Sequence, residues 1–408
     1  MKYETIFTPA NILIPKFAED AEKMNKWAVI ACDQFTSEPE YWKKCVENIS
    51  GSPSAYDYIM PEAYLETELE KAHNTEIINS MNSFDPSSMT EIDGLIYVER
   101  TLPNGSVRHG IIGKIDLEAY DYNAGSVSPV RATEATVIER IPPRRKIRAA
   151  AKVELPHILI LINDTVGVIS EAKKQSDGMK PIYDFDLMLG GGHITAYALE
   201  NDELKSVYEK ISGYESTSGS LVYAMGDGNH SLAAAKAHWE NVKRETGNLS
   251  HPARYALCEI TALSDESLVF EPIYRIVKNC NTADFLCELN KITVNDERKQ
   301  KITVLCNGEE HDLWFDDPSH ALTVGTLQIF IDEYIKAHPE VTCDYIHGID
   351  SLRKLSEEEN TVGFLFDGMD KAELFPYVEA HGSLPRKTFS MGEAESKRYY
   401  IELRQITE

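Results

Sequence analysis

The stretch Leu221-Val-Tyr-Ala-Met-Gly-Asp-Gly-Asn-His-Ser231 constrains this chain more than any other. Leu221 to Met225 reads as a short buried strand. Ser231-Leu-Ala-Ala-Ala-Lys-Ala-His-Trp239 reads as a helix. Between them, Gly226 and Gly228 permit a positive φ and a close approach of backbone to ligand. A helix that starts there presents unpaired N–H groups and the positive end of its dipole, which suits an anion. Asp227, Asn229, His230 and Ser231 add a carboxylate, an amide, an imidazole and a hydroxyl. Two readings stay open. One is a tight strand–helix connection in which Asp or Asn caps the helix. The other is a site with chemistry.

Other segments set the fold class. Ala28 to Ala31 predicts a strand that runs into Cys32-Asp33-Gln34, and Ser37-Glu38-Pro39 opens a helix. Gly94–Arg100 and Val107–Asp116 predict two strands joined at Leu102-Pro-Asn-Gly105, whose Asn-Gly pair is a hairpin signal. The sheet is therefore at least partly antiparallel. Ile158–Ile162 is a buried strand, far too short to span a bilayer. After about Asn248 come further strands, at Tyr255–Ile260, Lys301–Leu305 and Thr361–Phe366. A helix over roughly Gly325 to Ala337 carries Leu327, Phe330, Ile331 and Tyr334 on one face. Arg398–Leu403 alternates like a half-buried strand. The whole predicts an α+β protein of two domains, 1–248 and 249–408, with the junction between Asn241 and His251.

Charge narrows the function classes. The net charge of −25 repels phosphate-coated partners, so neither nucleic acid nor an anionic membrane is an expected partner. A small-molecule ligand at a local site is compatible with that field. The seven cysteines include no Cys-x-x-Cys pair, which fits a reducing cytoplasm and signals no zinc site. Oligomeric state is not legible. The run Arg140–Arg148 holds five cations and reads either as a salt-bridged helix start or as a phosphate clamp. Leu189-Gly-Gly-Gly-His-Ile-Thr195 reads as a glycine-rich loop ahead of a helix, with His193 a structural hydrogen-bonding histidine.

Taken together, Trp27–Trp42, Arg131–Arg140, Leu189–Ile194, the turn at 226–231 and Leu384–Gly392 resemble the uncharacterised family DUF1015, over nearly the whole chain. That family is similar to the ParB/sulfiredoxin superfamily, which includes free-serine kinases. The resemblance implies a ParB/sulfiredoxin-like first domain with a mixed sheet. In that group a strand–turn–helix with an Asp-Gly-His-His-Arg sequence holds nucleotide phosphates and catalytic groups. Asp227, Gly228 and His230 match it, while Asn229 and Ser231 stand where it has histidine and arginine. Glu134, Thr136 and Arg144 fit a His-Glu-x-Thr segment followed by an arginine, with Thr133 in the histidine's place.

The implied function is phosphoryl transfer from ATP or ADP, with Mg²⁺, to a hydroxyl-bearing metabolite. Gly226, Gly228, Asn229, Ser231 and Thr133 would then surround the phosphates. Asp227 would ligate Mg²⁺ or orient the nucleophile, and Asp33 or Glu134 would accept the hydroxyl proton. Arg131 and Arg144 would neutralise phosphoryl charge. Two alternatives remain open: a non-phosphoryl enzyme using the same carboxylates with His230 as acid–base groups, and a ligand-sensing regulatory protein of ParB type.

Overall fold

The protein, as a computed structural model, is described over residues 4–123, 125–136, 138 and 141–408, with only the backbone of Pro143. The expectation placed on Arg140 lies outside the described residues. The chain forms two compact units. The first comprises Met1–Leu268, Val378–Gly382 and Glu393–Glu408, and the second Val269–Tyr377 and Ser383–Gly392.

The first unit is organised by the hairpin of Met89–Thr101 and Val107–Asp116. Gly105 closes it with φ of 86°, a conformation that costs a glycine nothing. Along these strands side chains alternate between faces. Leu95, Tyr97 and Ile111 join one apolar cluster, and Ile96, Val98 and Ile112 join another. The sheet is thus buried on both sides. One side packs on Val168–Ser176, Asn201–Thr217 and Asn229–Thr246, the other on Ala21–Trp27 and Pro39–Ile49.

Among the described residues, eleven strands make this sheet. Its main path runs Tyr183–Asp186, His193–Leu199, Met89–Thr101, Val107–Asp116, Tyr255–Ala262, Leu159–Ile162, Tyr223–Asp227, Val130–Arg131 and Tyr120–Asp121. Leu159–Ile162 pairs parallel with Tyr255–Ala262 and antiparallel with Tyr223–Asp227, so the sheet is mixed, as expected. Among the described residues no helix is long and apolar enough to cross a membrane.

The second unit has its own antiparallel seven-stranded sheet and its own apolar core, built around Ile276, Phe285, Leu327 and Phe364. The helix expected near Gly325 to Ala337 spans Thr323–Ala337, with Leu327, Ile331 and Tyr334 buried.

Two differences from the sequence reading have clear causes. The division falls after Leu268 rather than at 248/249, because Tyr255–Ala262 is held between Val107–Asp116 and Leu159–Ile162. The segment after Leu189-Gly-Gly-Gly is not a helix but the strand His193–Leu199, hydrogen-bonded to Leu95–Thr101. Gly192, at φ of 87°, lets the chain pass against the carbonyl of Thr101, where a Cβ would sit 2.1 Å from that oxygen.

Candidate active site

Four segments of the first unit build one polar centre. Tyr223–Asp227 runs antiparallel to Leu159–Ile162, and its register shifts between Met225 and Asp227. Gly226 occupies that bulge, which sets Asp227 opposite Leu159. His157 lies just ahead of the same strand, beside it. Asp33 follows the short strand Val29–Ile30, which pairs with Tyr399–Tyr400. Asp33, His157 and Asp227 each offer one ligand atom, and these atoms all lie within 4.8 Å of one another.

Each of the three is oriented by a further group. The Gln34 amide donates to Asp33 Oδ1 at 2.9 Å, and the Gly228 N–H donates to Asp227 Oδ1 at 2.8 Å. His157 is 5% exposed, and its Nδ1 is hydrogen-bonded to the Tyr400 hydroxyl at 2.7 Å, which leaves Nε2 for the centre. Lys397 Nζ stands 3.4 Å from Asp227 Oδ2. Burial pushes the Asp33 carboxyl up, but His157, the Gln34 amide and Lys397 outweigh it and hold it below the usual carboxylate range. Two carboxylates and an imidazole nitrogen, each fixed from behind, fit a divalent cation.

The turn itself is shaped by Gly228, at φ of 79°. A Cβ there would also meet Ile158 Cα at 3.1 Å, so the position excludes larger residues twice over. The helix Asn229–Thr246 begins with no side-chain cap. Asp227 therefore does not act as the helix cap. Asn229 Oδ1 is buried with no hydrogen-bond partner among the described residues.

Beside the centre lies a cavity of about 530 Å³. His157, one of the three side chains of the centre, lines it together with Cys32 and Ser231, and Tyr58, Met60 and Leu155 give it an apolar wall. Arg144 also lines it, ion-paired with Glu62. Burial, with Asp33 adding to it, pushes the Cys32 thiol up to about 12, so it is not a thiolate nucleophile.

The residues singled out from the sequence thus divide. Asp33 and Asp227 converge, and Arg144 and Ser231 reach the adjoining cavity. Arg131 does not join them. It is buried, and its guanidinium donates to the carbonyls of Ser128 and Val127 and to Ser220 Oγ, beyond the end of the strand opposite Asp227. Thr133 is buried as a brace, donating to the carbonyl of Met225 at 2.8 Å. Glu134 and His230 are half-buried and, among the described residues, do not line this cavity. His193 bonds Asp184 at 2.6 Å and Asp186 at 2.7 Å, in keeping with a structural histidine. Sequence reasoning does not single out His157, Lys397 or Tyr400. The signal for His157 is faint: a Pro-His pair directly ahead of the apolar run Ile158–Ile162. Lys397 carries none beyond its place before an alternating segment.

The chain belongs to the family described as a protein of unknown function (DUF1015), which matches residues 13–334. The resemblance seen in its motifs therefore holds. No curated protein matches it. Several solved structures are similar at a distance. A free serine kinase variant in complex with ADP is 10% identical over 75% of this chain and 95% of its own, with a TM-score of 0.41. A conserved hypothetical protein from Pyrococcus furiosus is 12% identical over 70% and 92%, at 0.36. SbnI with a C-terminal truncation, from Staphylococcus aureus, is 10% identical over 69% and 82%, at 0.35.

Proposed function

We propose that this member of the DUF1015 family is a small-molecule enzyme that transfers a phosphoryl group from a nucleotide, ATP or ADP, to a hydroxyl-bearing metabolite. The observation that carries the reading is the convergence of Asp33, His157 and Asp227 within 4.8 Å, beside a cavity of about 530 Å³. A divalent cation held by these three side chains would bind and neutralise phosphate oxygens. The remaining parts belong to the chain. The start of the helix Asn229–Thr246, which has no side-chain cap, favours an anion through its dipole. Lys397 adds a cation beside Asp227, and Arg144 stands on the cavity wall with Glu62 as its partner. The apolar wall of Tyr58, Met60 and Leu155 accepts a base or sugar, and the volume suits a nucleotide-sized ligand. Phosphoryl transfer asks mainly for positioning and charge neutralisation, which this set supplies. In this reading Asp33 serves the cation rather than the hydroxyl proton. The partner in this reading is a small molecule, and the charge of −25 disfavours duplex DNA.

The test is a thermal-shift titration with ATP and ADP, with and without a divalent cation, followed by phosphorus NMR of nucleotide turnover over a panel of hydroxylated metabolites. The expected result is a cation-dependent rise in Tm. Asp227→Asn should lower turnover by about 100-fold or more, since the charge is lost while the shape is kept. Indifference to every nucleotide, or full turnover in Asp227→Asn, would overturn the proposal.

A further inference from the structure

Resting on the reading that Asp33, His157 and Asp227 hold a cation, we propose that this centre selects a first-row transition cation, represented by Mn²⁺, over Mg²⁺. Three features of the structure carry this. The first is the donor set. Mg²⁺ demands near-octahedral oxygen coordination and gives up its waters reluctantly, whereas imidazole nitrogen suits the transition cations. Here one of the three donors is a nitrogen. The second is that the nitrogen is built in. His157 is 5% exposed, its Nδ1 is tied to Tyr400 at 2.7 Å, and Tyr400 is itself 3% exposed on a strand paired with Val29–Ile30. The ring cannot turn away without breaking that bond and vacating buried space. The third is the electrostatic balance. Two carboxylates match a divalent charge, and Lys397 beside Asp227 leaves the loaded centre net positive, ready for an anion. Cys32 lines the same cavity but is not one of the three ligand side chains, so the set lacks the soft sulfur that would favour a thiophilic metal.

The experiment uses the full chain and metal salts alone, without nucleotide. Free Mn²⁺ is followed by electron paramagnetic resonance during titration with protein, and Mg²⁺ is then added as competitor. Mn²⁺ should bind at one site per chain at least about tenfold more tightly than Mg²⁺. His157→Ala should abolish the preference, lowering Mn²⁺ affinity by about tenfold or more and changing Mg²⁺ affinity little. Because a buried histidine variant can misfold, Tyr400→Phe is the second arm. It removes one hydroxyl, keeps the ring packing, and should weaken Mn²⁺ by about tenfold through loss of the outer hydrogen bond. Circular dichroism confirms that each variant is folded. Equal affinity for the two cations, or unchanged Mn²⁺ binding in folded His157→Ala, overturns the selectivity while leaving phosphoryl transfer standing. Tight Mn²⁺ binding in a protein that ignores every nucleotide would instead sink the proposed function and leave the metal centre intact. Binding of neither cation overturns the inference and leaves Lys397 as the resident counter-ion.

Discussion

Two clusters of charge sit close together in the first unit, and they are built on opposite principles. Around Arg398 every nitrogen is spent. Nε donates to Glu259 at 2.9 Å, Nη2 to Glu402 at 2.7 Å, and Nη1 to the carbonyl of Pro156. Arg404 donates to Glu154 at 2.6 Å, and Glu154 takes Arg148 on its other oxygen and the Leu257 N–H besides. Burial pushes the Glu154 carboxyl up, but Arg148 and Arg404 outweigh it and hold it low. Around Asp33, His157 and Asp227, by contrast, Asp33 and His157 are each held through one atom and keep another for the shared centre, and Asp227 takes the Gly228 N–H on Oδ1 with only the 3.4 Å contact of Lys397 on Oδ2. A buried charge whose partners use it up is architecture. One that is oriented and yet keeps a ligand atom is equipped for a ligand.

If that contrast is right, mutations in the two clusters should separate in stability. The largest effect belongs to Arg398→Ala. It leaves Glu259 and Glu402 buried without their common partner, so unfolding by denaturant should show a loss of about 3–5 kcal/mol. A loss under about 1 kcal/mol would mean that the network is ornamental.

Acid should find the edge of the same network next. His238 is pushed down to about 4 from its ordinary 6.5, by burial first and then by Arg148, His251 and Arg145. It is neutral in the fold, so between pH 6.5 and 4 the unfolded chain takes up a proton that the folded chain refuses. This contribution is present above pH 6.5 and lost as pH falls towards 4, amounting to about 2 kcal/mol once partial exposure is discounted. Because carboxylates titrate in the same range, the measurement is the difference between the wild-type and His238→Gln curves of stability against pH. Parallel curves from pH 7 to 4.5 would remove His238 from the account.

The smallest effect should come from the other cluster. Asp227→Asn keeps the bond from the Gly228 N–H and loses only the 3.4 Å contact with Lys397, so stability should change by less than about 1 kcal/mol. Chemical denaturation reads this directly. A loss comparable to that of Arg398→Ala would erase the distinction and make Asp227 a structural charge.

Much of the fold and part of the centre are legible in the amino-acid sequence, for a local reason. Gly228 has to be small because the strand runs straight into a helix, and the Asn104-Gly105 pair fixes a hairpin within a few residues. Asp227 stands out because it interrupts an apolar strand at that turn, and Asp33 because it follows another. Patterns of two and three-to-four residues likewise point to the mixed sheet and the helix at Thr323–Ala337. Where local signals are ambiguous, tertiary contacts decide. The glycines before His193 could open a helix, but a strand edge is available at Leu95–Thr101 and takes the segment instead.

The centre as a whole is not local. Asp33, His157, Asp227 and Lys397 come from widely separated stretches, and no periodicity links them. Only the pairing of Val29–Ile30 with Tyr399–Tyr400, and of Asp227 with Leu159, brings them together. Tertiary placement also decides what the arginines do. Arg131 and Arg144 look alike in sequence, yet one is spent on Ser220 and two carbonyls while the other lines the cavity. The sequence by itself determined the turn, several of the sheet's strands and two of the three side chains of the centre, because backbone conformation and hydrophobic period are encoded in neighbouring residues. The third side chain, His157, its tyrosine support and the neighbouring lysine were decided by the tertiary structure, because a side chain's partners depend on which distant strand lies beside it.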